Sequence, residues 1–123
     1  MADAFIAHLH DLFAALGPIS TRAMFGGHGV YFDGLIIGIV IDDALYLKTD
    51  DQTRANFEVA GCTPFVFTSA QSRGQQQPVT TSYWSLPDDA MESPQAMLPW
   101  AKLAFEAALR KPRSSGKVRK PAK

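Results

Sequence analysis

Three histidines, one cysteine and the aspartate pairs Asp42-Asp43, Asp50-Asp51 and Asp88-Asp89 are the residues of this 123-residue chain best suited to chemistry. Their spacing argues against each use in turn. His8 and His10 are two apart in a segment that reads as a helix, so they face different ways, and no second cysteine completes a zinc pair with Cys62. Cys62 follows a helix-ending glycine rather than opening a helix, so nothing in the sequence lowers its pKa, and it reads as a packed thiol. Each aspartate pair falls at a turn or a helix start, where turn geometry and the helix dipole favour Asp without acid–base work. No catalytic residue, metal ligand or cofactor site is expected, and the chain is predicted not to be an enzyme.

A second group of residues suits recognition instead. Gly26, Gly27 and Gly29 beside Arg22 could let backbone N–H groups approach an anion. The helix that follows a true phosphate-binding loop is missing, so a structural turn or bulge with positive φ and close backbone packing is the better reading. Tyr31, Tyr46, Tyr83 and Trp84 could stack bases, but the cations that such a face needs are scarce. Core packing or a protein interface fits them better. The candidate interaction residues are Arg22, Phe25, Gly26, Gly27, Gly29, Tyr83 and Trp84.

The charges are unevenly placed. Of the 12 basic residues seven lie from Arg110 to Lys123, a stretch with no acid, which leaves 5 basic against 12 acidic residues in the body before it. The segment carrying Arg110, Lys111, Arg113, Lys117, Arg119, Lys120 and Lys123 is either a weak, nonspecific nucleic-acid contact or a solvating extension that neutralises the acidic body. Its Pro, Ser, Gly and Lys content cannot support a core, so residues 1–110 are expected to form one domain and 111–123 a disordered basic tail. The longest apolar run, Leu35 to Ile41, is too short to span a bilayer, the start of the chain lacks a secretory signal pattern, and the single cysteine suits a reducing compartment. A cytoplasmic protein with no membrane contact is expected.

The elements that must position these residues follow from periodicity. Asp3 is a candidate N-cap for a helix whose face is Phe5, Ile6, Leu9, Leu12, Phe13 and Leu16, stopped by Gly17-Pro18. Asp33-Gly34 between apolar runs predicts a type I′ hairpin, Leu35 to Ile41 a central strand apolar on both faces, Asp42-Asp43 a second tight turn, and Ala44 to Lys48 a half-buried strand. Thr49 with Gln52 resembles a capping box for a helix closed by Gly61. Phe65 to Phe67 reads as a short strand, Ser69 to Pro78 as a polar loop and Val79 to Leu86 as a strand. Ser93-Pro94 opens a last helix to about Arg110, in which Pro99 predicts a kink or a delayed start. The order is helix, a three- or four-strand meander, helix, two strands, helix: a two-layer α+β fold with a largely antiparallel five- or six-stranded sheet and its helices on one face.

With the elements placed, the chain resembles the TfoX/Sxy N-terminal domain family of small bacterial proteins, which includes regulators of natural competence. The resemblance is carried by Arg22-Ala23-Met24-Phe25-Gly26-Gly27-His28-Gly29, Tyr31-Phe32-Asp33-Gly34, Asp43 to Lys48, Thr53-Arg54 with Phe57 and Gly61, Pro64-Phe65, Ser82-Tyr83-Trp84, Leu86-Pro87-Asp88 and Trp100-Ala101. It implies an α-β(3)-α-β(2)-α fold like that of type III secretion chaperones, pairing as a homodimer, and no enzymatic activity. The expected role is a non-enzymatic regulatory and protein-interaction module linked to transcriptional regulation of competence. The alternative is a nucleic-acid-associated accessory protein that uses the basic tail.

Overall fold

The computed structural model describes residues 2–24, 26–70 and 76–110. Its elements run α1 (Ala2–Leu12), β1 (Ile19–Met24), β2 (Gly27–Phe32), β3 (Leu35–Ile41), β4 (Ala44–Lys48), α2 (Arg54–Val59), β5 (Pro64–Ala70), β6 (Gln76–Trp84), a 3₁₀ turn at Asp88–Met91, and α3 (Pro94–Leu109). The strands form one antiparallel sheet in the order β1-β2-β3-β4-β6-β5. The α+β class therefore holds, with six strands. Four of them precede α2, one more than in the arrangement the resemblance implies, because Ile19–Met24 pairs with β2 along its whole length.

Both predicted hairpins close on tight turns. Asp33 and Gly34 have φ of 53° and 79°, and Asp42 and Asp43 have φ of 52° and 59°. Positive φ at both central residues is the type I′ condition, and Asp tolerates it better than most side chains. The twist of such turns matches that of the strands they join, so β2, β3 and β4 follow one another as a meander.

One core lies between the helices and one face of the sheet. Leu9, Leu12 and Phe13 of α1 and its trailing turn, Phe57 of α2, and Met97, Ala101, Ala104 and Ala108 of α3 pack with Val30, Ile37, Val40, Leu45, Leu47 and Trp84 of the strands. Small residues on α3 let that helix lie close to β3 and β4, against which it packs directly. Edge-to-face ring contacts add to this, Phe32 of β2 to Phe105 of α3 at 4.8 Å between the layers and Phe57 of α2 to Trp100 of α3 at 5.0 Å within the helix layer.

Four local expectations are corrected. The helix α1 begins at Ala2, so Asp3 lies inside its first turn rather than at its cap. Ahead of α2 the reciprocal capping pair is Asp50 and Thr53, not Thr49 and Gln52. Thr53 N–H donates to Asp50 Oδ1 at 3.1 Å and Asp50 N–H to Thr53 Oγ1 at 3.0 Å, while buried Thr49 donates its hydroxyl to the Ser82 carbonyl at 2.8 Å. The polar stretch read as a loop is shorter, since Ser69 pairs with Gln77 and Ala70 with Gln76. Among the described residues Pro78 sits where β6 is paired with β5 alone, the setting in which a strand tolerates proline. Last, α3 starts without delay: the Ser93 hydroxyl accepts from Ala96 N–H at 3.0 Å, and Pro99 lies within the continuous helix on its exposed side.

Candidate functional site

The opposite face of the sheet carries no helix among the described residues. Alternation assigns side chains to it: Ser20, Arg22 and Met24 from β1, Gly27, Gly29 and Tyr31 from β2, Ile39 and Ile41 from β3, and Tyr46 and Lys48 from β4. The apolar character of β3 on both sides, which marks it as central, thus leaves an apolar stripe outside the core. Ile39 is only 8% exposed although no helix covers it, so it sits at the bottom of a concavity.

That concavity is a groove of about 450 Å³ lined by Met24, Gly26, Ile39, Ile41, Phe65, Thr81 and Tyr83. It reaches from β1, at one edge of the sheet, to β5, at the other. Six flat strands at their usual spacing would hold those edges about 24 Å apart, so the sheet must curl around its uncovered face. Two register breaks supply curvature. Ile37 is an extra residue between Val30↔Gly38 and Tyr31↔Ile36, and Thr81, Ser82 and Tyr83 lie opposite the single residue Phe65 between Val66↔Thr80 and Pro64↔Trp84. Bulges bend strands and redirect side chains, which here brings Thr81 and Tyr83 into the groove. Thr81 Oγ1 donates to the Phe65 carbonyl at 2.9 Å, so its polar atom is satisfied within the wall.

Two cations stand on the same face. The Arg22 guanidinium lies 5.3 Å from the centre of the Tyr31 ring, and Lys48 Nζ lies 5.3 Å from that of Tyr83 while donating to Ser82 Oγ at 3.1 Å. Such contacts fix the direction of long side chains without cancelling their charge. Burial raises the pKa of the Tyr83 phenol, and the nearby Tyr31 pushes it the same way, so Tyr83 stays a neutral hydrogen-bonding group through physiological pH.

The residues singled out by sequence thus separate. Arg22, Gly26 and Tyr83 come together on the uncovered face. Trp84, adjacent to Tyr83 in sequence, turns the other way into the core and is 8% exposed. Gly27 and Gly29 belong to β2, where the space for a side chain is filled: a Cβ on Gly27 would meet the Val40 carbonyl oxygen at 1.8 Å, and one on Gly29 the Tyr31 ring at 3.0 Å. The close-packing reading of the glycines therefore applies at Gly27 and Gly29, and positive φ applies at Gly26, with φ of 87°. Phe25 lies outside the described residues, as do Lys111, Arg113, Lys117, Arg119, Lys120, Lys123 and the expected disordered tail. Arg110 is described, and it is engaged: its Nε and one terminal nitrogen donate to Asp50 Oδ2 and Oδ1 at 2.8 and 3.1 Å. That fork, more than any other influence, holds the Asp50 carboxyl below its ordinary pKa, against the opposing effect of burial and with help from the Thr53 and Gln52 amides.

Met24, Ile39, Ile41, Lys48, Phe65 and Thr81 were not singled out by sequence. One signal could have found them: none of the six strands contains an acidic residue, and their Lys and Arg content is Arg22 and Lys48. The other titratable candidates stay apart. His8 and His10 are exposed on α1, and Cys62 is buried, with burial raising its pKa against a smaller opposing hydrogen bond with Ser85. Among the described residues no three His, Cys, Asp or Glu side chains cluster as a metal site, and no helix is long and apolar enough to cross a membrane.

Comparison with known proteins places this geometry. Residues 11–108 match the family described as the TfoX N-terminal domain. A curated protein of Aliivibrio fischeri, named DNA transformation protein TfoX1, is 33% identical over 64 residues, which cover 49% of this chain and 31% of that protein. The chain thus spans about a third of that relative's length. The match over most of the described residues, with the glycine-bearing β1–β2 hairpin and the β6 aromatics inside it, makes this chain a member of the TfoX N-terminal domain family.

Proposed function

We propose that the protein is a competence-related, non-enzymatic regulatory module that acts by protein contact as a cytoplasmic homodimer and influences transcription. The observation that carries the reading is the family match over residues 11–108, joined to a relative whose name assigns it to DNA transformation. The arrangement of titratable groups agrees with it. Among the described residues, Asp50 and Arg110 are shifted by pairing with each other, and Cys62 and Tyr83 chiefly by burial. None of these forms a nucleophile–base pair of the kind acyl or phosphoryl transfer needs.

The domain takes in residues 1–110, with 111–123 as a basic extension. For the dimer, the strand that carries the candidate interaction residues Tyr83 and Trp84 is interior, since β6 lies between β4 and β5. The edge strand β1, which among the described residues pairs with β2 alone, offers backbone groups through which two copies could pair. Deleting the gene in its host and measuring transformation frequency tests the role, and light scattering at micromolar concentration tests the dimer. Unchanged transformation in the deletion strain would refute the competence link, and a strict monomer would refute pairing.

A further inference from the structure

We propose that the groove on the uncovered face of the sheet is a binding site for a medium-chain acyl carboxylate, whose chain lies along Ile39, Ile41 and Phe65 and whose head is held by Arg22 and Lys48 on the same face. Its volume of about 450 Å³ falls within the usual range of roughly 300–1,000 Å³ for small-molecule sites. Its wall is apolar apart from Thr81, whose hydroxyl is already bonded, and the Tyr83 phenol at one end. The lining draws on β1, β3, β5 and β6, so an acyl chain laid there meets apolar side chains from several strands at once.

Charge selects the head group. Acids outnumber bases 12 to 5 in the chain before Arg110, yet no acid occurs in any strand, and the strand cations Arg22 and Lys48 both stand on this face over tyrosine rings. Lys48 has other partners as well, and its charge, rather than a vacancy, is what the site uses. A neutral chain would gain nothing from this arrangement, whereas a carboxylate is attracted to cations at the edge of a low-dielectric wall. The same charges oppose a second copy docking face to face. In a two-fold pair the same patch meets itself, which would bring Arg22 and Lys48 of both copies together without a carboxylate among the strand residues to separate them.

The test compares sodium decanoate with decan-1-ol, which share a ten-carbon chain and differ in charge, by isothermal titration of the full-length protein near pH 7.5. Decanoate is expected to bind at one site per chain and at least tenfold more tightly than the alcohol. In R22Q/K48Q that preference is expected to vanish while the alcohol affinity stays unchanged, and M24E, an acid placed at a rim position that is 42% exposed, is expected to weaken decanoate at least tenfold. Melting temperatures of the variants within about 3 °C of the parent show that the fold is intact, as expected for substitutions at exposed Arg22 and Met24 and at half-buried Lys48, where Gln keeps a hydrogen-bonding side chain. Equal affinity for acid and alcohol, no saturation by decanoate below its micelle-forming range, or decanoate binding unaffected by M24E would each overturn the proposal. So would a light-scattering mass showing that M24E dissociates a dimer, since a second copy would then occupy the face.

Discussion

Replacing Gly27 by alanine puts the packing account of the glycine cluster at risk more directly than any other single change. An added Cβ would lie 1.8 Å from the Val40 carbonyl oxygen and 3.0 Å from both Val40 C and Ile41 Cδ1. To restore even the 3.0 Å that real Cβ atoms rarely undercut, β2 and β3 must part by about 1.2 Å at this point. The obstacle is backbone on a central strand, which no rotamer change relieves. Overpacking of this kind costs about 1–3 kcal/mol. Parting the strands also loosens the terminal Gly27↔Ile41 pair, which adds about 1 kcal/mol for a lost hydrogen bond. Taken together, the loss is about 3 kcal/mol, or about 10 °C in melting temperature for a domain of this size. Gly26 is the internal control: its φ is 87° but nothing lies within 4 Å of an added Cβ, so Gly26→Ala should cost only the left-handed strain of about 1 kcal/mol, or about 4 °C. Thermal melts followed by circular dichroism measure both. Equal losses, or a larger loss at Gly26, would refute the close-approach argument and leave positive φ as the dominant constraint.

Other expectations follow from the same contacts. Because the folded-state pKa of Asp50 is depressed, its pairing with Arg110 stabilises the protein above the ordinary value of 3.8 and loses that effect as pH falls through the lower folded value. Asp50→Asn should accordingly melt below the parent at pH 6, with the gap narrowing in acid below pH 3.8; a gap independent of pH would remove the electrostatic explanation. Truncation after Arg110 should leave the melting temperature unchanged and abolish weak, sequence-independent DNA binding, whose salt slope scales as about 0.9 per neutralised phosphate. Gel shifts at several salt concentrations decide this, and binding that survives truncation would put the contact on the folded body. Pro99→Ala should restore the N–H that proline lacks and raise stability by about 1–3 kcal/mol, read as an increase in urea midpoint, whereas a decrease would mean the ring itself is packed.

The fold was legible where side-chain pattern and turn chemistry agree. Asp33-Gly34 and Asp42-Asp43 mark their hairpins because left-handed conformations are accessible to Gly and, at modest cost, to Asp. Ser93-Pro94 marks α3 by an equally local mechanism. The β5–β6 hairpin was legible only at its apolar end, since Ser69, Ala70, Gln76 and Gln77 pair through backbone that no side-chain alternation announces. Ahead of α2, Thr49, Asp50 and Thr53 are all competent caps, and what separates them is tertiary, because Thr49 is claimed by Ser82. The site was half legible. Tyr83 and Trp84 are adjacent on one strand and cannot share a face, so one of them had to be core. Nothing local says which face of β3 the helices leave open, and the groove depends on that choice together with the two bulges.

The join between β4 and β6 divides the sheet kinetically. Within the meander, neighbouring strands close loops of a few residues, whereas β4 and β6 are paired at Leu47↔Trp84 and Lys48↔Tyr83, extended by the bonds of Lys48 and Thr49 to Ser82, from segments as far apart in sequence as Lys48 and Ser82, 34 residues. Short loops close early and long ones late, so β1 to β4 are expected to form first as a unit onto which the β5–β6 hairpin docks. The narrow seam is also where sub-global opening costs least, and amides of β5 and β6 should exchange with solvent ahead of those of β2 and β3. Opening there parts Ile39 and Ile41 from Thr81 and Tyr83, which stand on opposite sides of the seam. Filling the groove and closing the seam are then one equilibrium, and an occupant would be detectable as slowed exchange along the whole of β5 and β6, beyond Phe65, Thr81 and Tyr83 that line the groove.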